Sequence, residues 1–280
     1  MLRTLDLFSG IGGFSLGLER TGGFKTVAFC EIDPYCRKVL KRHWPDVPIF
    51  EDVRTLTADA LSRDGIAVDV ICGGFPCQDI SFAGTGAGMG GKRSGLWSEY
   101  IRLVGDLRPR YIIVENVAAL LGRGLDRVLG DLAAVGFDAE WHCIPASAVG
   151  APHRRDRIWI VAYAKCDERQ QALLIRYAET LGLGADTPCN VGESKTTHTM
   201  RSGSGIPGGQ DSDGAGGYDR PHNRGPRRGY HWDTEPEMGR VVDGVPIELV
   251  VNELRALGNA VVPQIPELIG RAILEANHDA

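Results

Sequence analysis

The sequence predicts an α/β fold with a mostly parallel sheet and helices on both faces. Two observations carry this: short apolar, β-branched runs recur along the first 164 residues, and helical patterns lie between several of them. A third is that a polar or glycine-rich stretch follows most of these runs, as expected where a parallel sheet turns its strand ends toward a ligand crevice.

The runs are Thr4–Phe8, Thr26–Cys30, a weaker Pro48–Phe50, Val68–Cys72, Tyr111–Val114 and Arg157–Ala164. A helix starts cleanly after the second run, because Asp33 is a good N-cap and Pro34 suits the first helical position. Another runs from about Leu125 to Val135, with Leu125, Val128, Leu129, Leu132 and Val135 on one face and Gly136 as its stop. After Ala164 the apolar periodicity thins, and Gly, Ser, Pro, Asp and Arg dominate from Gly182 to Gly229. Irregular structure is expected there, either disordered or serving recognition. Order returns with Leu249–Leu257 and a helix from about Pro263 to Glu275, whose Ile265, Leu268, Ile269, Ala272 and Ile273 share a face that packs back onto the sheet.

At 43% hydrophobic and 24% charged, the 280 residues suffice for one large α/β unit with a smaller insertion. The formal charge of −5 argues against indiscriminate coating of nucleic acid. A local bias exists: Lys195 to Arg228 holds six basic and three acidic residues, a net +3. Seven cysteines, without C-x-x-C pairs or histidines at zinc spacing, suggest neither a disulfide framework nor a metal site. With no leader-like start and no apolar run near the ~18 residues of a membrane helix, a cytoplasmic location is expected, in a reducing environment.

Each strand end offers a candidate. The first run leads into Gly10 and Gly12-Gly13, a turn that reads as a cofactor loop but lacks the full G-x-G-x-x-G pattern and any P-loop lysine. Glu31 lies about twenty residues beyond it, placed to accept ribose hydroxyls. Asp52 follows the weak third run. The Gly73-Gly74-Phe75-Pro76 turn lifts Cys77 beyond the fourth, whereas Cys72 inside that run reads as a small buried hydrophobe. From Gln78 to Gly95 five glycines lead to Lys92 and Arg93, a stretch that reads as a closing lid. Glu115 and Asn116 end the fifth run, and Arg154, Arg155 and Arg157 cluster at the last, as a solvated basic edge or as phosphate and base contacts.

Together these stretches resemble the DNA (cytosine-5)-methyltransferases of bacteria and phages, with motifs in the usual order. Asp6-Leu7-Phe8-Ser9-Gly10-Ile11-Gly12-Gly13-Phe14 resembles the first motif, Gly74-Phe75-Pro76-Cys77-Gln78 the nucleophile motif and Glu115-Asn116-Val117 the base-binding motif. Arg155-x-Arg157 resembles the paired arginines, and Gly258-Asn259-Ala260-Val261-Val262-Pro263-Gln264 the C-terminal motif. The resemblance covers roughly residues 1–164 and 232–275. One departure is His153, where the family usually has glutamine; it can donate at a similar reach.

The resemblance implies a class I S-adenosylmethionine-dependent methyltransferase fold, Rossmann-like, with a small loop-rich target-recognition region. It divides the chain into residues 1–164 for catalysis and cofactor binding, 165–240 for target recognition and 241–280 returning to the catalytic unit. Cys77, Glu115, Arg157 and Arg155 become the catalytic set. Asp6, Phe8, Gly10, Ile11, Gly12, Gly13, Glu31, Ile32, Asp52, Val53, Leu96, Asn259 and Val261 become the pocket for S-adenosylmethionine, released as S-adenosylhomocysteine. Gln78, Ser81, Arg93, Arg154, Arg224, Arg227 and Arg228 become the contacts to double-stranded DNA. A monomer is expected, with a cognate restriction endonuclease as a possible partner, no metal and no membrane association.

Two rival readings remain: methylation of transfer RNA, whose branch carries a Cys-Phe-Thr signature absent here, and a catalytically idle DNA-binding module of the same fold. A thiol-using dehydrogenase is remote. The recognition sequence is not legible, because base contacts depend on loop geometry.

Overall fold

A computed structural model describes residues 1–76, 95–164, 181–183 and 247–278. Seven strands form one sheet: β1 (Leu2–Leu7), β2 (Phe24–Cys30), β3 (Ile49–Phe50), β4 (Val70–Gly73), β5 (Tyr111–Val117), β6 (Phe137–Pro145) and β7 (Asp156–Ala164). Their order is β3-β2-β1-β4-β5-β7-β6. The pairings among β1 to β5 are parallel, whereas β7 runs antiparallel to both β5 and β6. Chain direction across the sheet switches from leftward to rightward winding between β1 and β4, and a crevice opens beyond the carboxyl ends of strands at such a switch.

β6 is the element that sequence reasoning did not find. Its residues alternate Asp138, Glu140 and His142 with Ala139, Trp141 and Cys143, which obscures a strand pattern when read as an apolar run. Among the described residues it lies at the edge of the sheet and pairs with β7. The other strands fall where their apolar runs predict, because β-branched and aromatic side chains buried on both faces leave little room for polar alternation.

Five helices follow the strands of the first half: α1 (Gly13–Arg20), α2 (Pro34–His43), α3 (Ala58–Arg63), α4 (Leu96–Leu107) and α5 (Leu125–Ala134). The start of α2 follows from its cap: the Asp33 carboxylate accepts from the Tyr35 and Cys36 amides at 2.8 and 3.2 Å, and Pro34 occupies the first turn. Two C-terminal helices, α6 (Ile247–Asn259) and α7 (Gln264–His278), complete the chain.

The core lies in two layers. On one face Trp97, Tyr100, Leu103 and Val104 of α4 and Val128 and Leu132 of α5 cover Ile71, Ile112, Val114 and Ile160. On the other, Phe14 and Leu18 of α1 and Ile265, Ile269 and Ile273 of α7 cover Val70, Cys72, Ile113, Trp159 and Val161. Helices α1 and α7 meet closely because glycines line the contact: a Cβ at Gly270 would lie 3.0 Å from the Thr21 methyl, and one at Gly17 would collide with the Pro263 carbonyl.

Cys30, Cys36 and Cys72 are free and buried, but Cys143 is disulfide-bonded, which the cysteine spacing did not suggest. Among the described residues no helix is long and apolar enough to cross a membrane.

Candidate active site

The cofactor-type loop begins where β1 ends. Phe8 takes φ +52, an uncommon conformation for a side chain larger than Asn, and this turns the chain out of the sheet. Ser9 then closes the turn, its hydroxyl donating to the Asp6 carbonyl at 2.6 Å and its amide to Cys30 at 3.3 Å. Gly10 and Gly12 follow with φ of +53 and +87, which glycine adopts without Cβ strain. A side chain at Gly12 would strike the Trp44 ring, whereas nothing lies within 4 Å of a Cβ position at Gly10. The loop is thus walled on one side and open at Gly10.

Glu31 joins that loop to the second strand end. Its Oε2 accepts from the Gly10 amide at 2.7 Å and its Oε1 from the Asp33 amide at 2.7 Å. Each oxygen keeps a further lone pair, so the carboxylate is oriented by two backbone donors and can still accept. Ile32 beside it is 65% exposed. Phe8, Phe50 and Leu96 are partly buried against the same hydrophobic cluster, from the ends of β1 and β3 and the start of α4. An open glycine turn, an oriented carboxylate and apolar rings at the strand ends fit an adenosine-type cofactor.

Two of the expected cofactor residues are buried in this structure. Asp6 is fully buried beneath the loop, where its Oδ2 accepts from the Ser15 hydroxyl at 2.7 Å, so it braces the turn from below. Burial pushes its carboxyl up to about 8 against the hydrogen bonds from Ser15, with the Glu31 charge adding to the rise. Val53 is also buried, and its carbonyl accepts from Arg102 Nη2 at 3.0 Å. Arg102 holds the Leu56 carbonyl at 2.8 Å as well, bracing the segment that presents Asp52. The Asp52 carboxylate is paired with Arg54 at 2.5 Å, and hydrogen bonds from Arg54 hold it below the usual carboxylate range.

The second centre lies at the end of β4 and β5. Glu115 and Asn116 sit within β5 rather than after it, because β7 pairs antiparallel as far as Val117 opposite Arg157. Arg157 Nε lies 2.9 Å from Glu115 Oε1 on that sheet face. Burial pushes the Glu115 carboxyl up, and the neighbouring charges of Arg157 and Arg155 pull it back. Gly74 packs against this carboxylate: a Cβ there would stand 2.8 Å from Glu115 Oε2. From the opposite face, Asn116 Nδ2 donates to the Phe75 carbonyl at 3.2 Å. The turn that leads to Cys77 is therefore fixed on both sides.

Arg155 does something else. Its Nη1 and Nη2 donate to the Gly258 and Ala260 carbonyls at 2.7 and 3.0 Å, so its guanidinium is engaged at the end of α6. Arg154 is exposed and pairs with Asp156 at 3.0 Å. Asn259 closes α6 exposed to solvent, and the Val261 carbonyl rests against Gly13, 2.6 Å from where a Cβ would stand. Ile11 is half-buried in the loop. Cys77, Gln78, Ser81, Arg93, Arg224, Arg227 and Arg228, and most of residues 165–240, lie outside the described residues.

Arg102 and Trp159 escaped sequence reasoning, and so did the contact made by Asn116, which was named only as part of a motif. The roles of Asn116 and Arg102 rest on backbone carbonyls far along the chain and leave no local pattern. Trp159 stands opposite Glu115 in the β5–β7 register and meets Phe14 edge-on at 5.5 Å, linking the base of the glycine loop to the Glu115 strand. An aromatic two residues after an arginine gave no signal of this.

A doubly wound sheet with an open glycine turn at β1 and a carboxylate–arginine pair at β5 defines a class I methyltransferase of Rossmann-like fold. The family profile of C-5 cytosine-specific DNA methylases matches residues 2–199, and the chain belongs to that family. It is 34% identical over 169 residues to the type II methyltransferase M2.BsuMI of Bacillus subtilis, covering 58% of this chain and 42% of that one. To M.CviJI of Paramecium bursaria Chlorella virus IL3A it is 35% identical over 174 residues, covering 61% and 46%. A solved structure described as a DNA modification methyltransferase encoded within an E. coli prophage superposes with a TM-score of 0.51 at 28% identity, covering 59% of this chain and 47% of that one. The chain thus spans less than half the length of these relatives.

Proposed function

We propose that this protein transfers a methyl group from S-adenosylmethionine to C5 of a cytosine extruded from duplex DNA, through a transient bond between Cys77 and C6. The observation that carries it is the Glu115–Arg157 pair with Gly74 packed on its carboxylate, which sets the turn before a cysteine beside a proton-bearing group.

Cytosine C5 is a poor nucleophile until a group adds at C6, and a thiolate on Cys77 supplies that electron pair. Glu115 hydrogen-bonds or protonates N3, which draws charge away from C5–C6 as the S–C bond forms. Burial favours the neutral carboxylic acid needed for that donation, while Arg157 orients it and faces the base. When bound, S-adenosylmethionine supplies an electrophilic methyl group on a sulfonium. Gly10, Glu31, Phe8, Leu96 and Asn259 would hold it, with Glu31 on the ribose. Loss of the C5 proton and of the Cys77 thiolate then frees the product.

The target must leave the stack, at a cost of a few kcal/mol that protein–DNA contacts offset. Residues 165–240 form the target-recognition region in this reading, Arg224, Arg227 and Arg228 contact DNA there, and a cognate endonuclease shares the site, since the relatives carry type II names.

The test is transfer of labelled methyl from S-adenosylmethionine to duplex DNA and to transfer RNA. Labelled duplex DNA, unlabelled transfer RNA and loss of signal in Cys77→Ser are expected. Label on transfer RNA alone, or DNA binding without transfer, overturns the reading.

A further inference from the structure

Arg155 stands between the Glu115–Arg157 pair and the end of α6. It reaches across more than a hundred residues of sequence to the Gly258 and Ala260 carbonyls. These flank Asn259, the last residue of α6, where carbonyls lack helical donors and the helix dipole turns negative. A forked cation satisfies both.

The segment it clips leans on the glycine loop. Val261 places its carbonyl against Gly13, and Pro263 places its own against Gly17, in each case closely enough that only glycine fits beneath. Arg155 itself takes φ +41, a left-handed backbone that a non-glycine residue keeps only when its surroundings hold it there. That conformation aims residue 155 toward α6 while Arg157, two residues on, turns to Glu115.

We propose that Arg155 is a positioning residue for the cofactor pocket: by holding Gly258 and Ala260 it sets Asn259 and Val261 over the glycine loop, so one member of the arginine pair serves the cofactor and the other the base. This rests on the cofactor reading given above.

Hydrogen–deuterium exchange on the cofactor-free full chain reads the clip directly. In Arg155→Gln, amides of residues 257–263 are expected to exchange at least tenfold faster, with β5 unchanged, and Arg155→Lys, which can reach one carbonyl, falls between. Calorimetric titration with S-adenosylhomocysteine without DNA is expected to show at least tenfold weaker binding in Arg155→Gln, a smaller loss in Arg155→Lys, and less than a twofold change in Arg157→Gln. Unchanged exchange at 257–263, or unchanged cofactor binding with weakened DNA binding, overturns the proposal. If Arg155→Gln does not fold, Arg155→Lys decides by the same readouts. Failure of the wild-type chain to bind S-adenosylhomocysteine overturns the cofactor reading and this proposal with it. It is distinguished from failure of the clip alone, in which both chains bind equally.

Discussion

Asn116 suspends the backbone of Phe75 from its side-chain amide, Nδ2 to carbonyl oxygen at 3.2 Å, while its Oδ1 accepts from the Val117 amide at 2.9 Å. A residue of β5 thereby holds the turn leaving β4, and the two strand ends are tied by one buried amide. Asn116 is 2% exposed, so water cannot replace either bond.

Asn116→Ala should therefore cost about 1–3 kcal/mol of stability, the penalty for leaving buried polar groups unpaired. Methyl transfer should fall further than stability explains, since the loosened turn carries Cys77. Urea unfolding and single-turnover rates, measured together, check this; a variant with wild-type turnover refutes it.

Replacing Glu115 by Gln keeps the shape but removes the transferable proton. Turnover on duplex DNA should drop on the order of 10²–10⁴-fold, the usual contribution of a positioned acid or base. Because burial raises its pKa, the wild-type rate should decline as pH rises through the titration of Glu115, and the Gln variant should lack that limb. A pH–rate profile of the two proteins tests both statements.

Asp6 predicts a stability trend. Its carboxyl is raised from 3.8 to about 8, so below pH 4 both folded and unfolded chains hold the proton and no penalty applies. Between those values the unfolded chain ionises first, and folding stability is lost by up to about 1.4 kcal/mol per pH unit as pH rises. Above pH 8 the penalty stays constant. Asp6→Asn should gain stability relative to wild type across that window, read by denaturant midpoints at several pH values; parallel curves would contradict the assignment.

Gly17→Ala sets two effects against each other. Alanine is favoured over glycine in a helix by about 1 kcal/mol. The added methyl, however, meets the Pro263 carbonyl at the entrance to α7, a backbone atom that cannot turn aside, and such overpacking costs about 1–3 kcal/mol. Net destabilisation is expected, visible as a lower thermal midpoint, whereas Gly65→Ala meets no neighbour within 4 Å and reports only its φ of +71.

Much of the site was legible because its signals are local. Gly10, Gly12 and Gly13 are needed where the chain leaves β1 in left-handed conformations or beneath other backbone, and Asp33-Pro34 announces the start of α2. Glu31 was placed correctly at the end of β2, and its two backbone donors follow from the turn it occupies. The orientation of Asp6 was not legible, since adjacency to the loop says nothing about which way a strand residue faces. It points inward, with Cys72 opposite it in register. β6 was missed because an edge strand tolerates the charged alternation that disguised it.

By itself the amino-acid sequence determined the chemistry available: a glycine turn, a carboxylate at each of several strand ends, paired arginines, and helices whose apolar faces demand a sheet between them. Which of those groups cooperate was decided only by tertiary structure. Strand order and register bring Glu115 to Arg157 and Gly74, and the return of the C-terminal helices brings Gly258 to Arg155. Such contacts join residues 41 to 105 positions apart, and no local rule of chain geometry contains them.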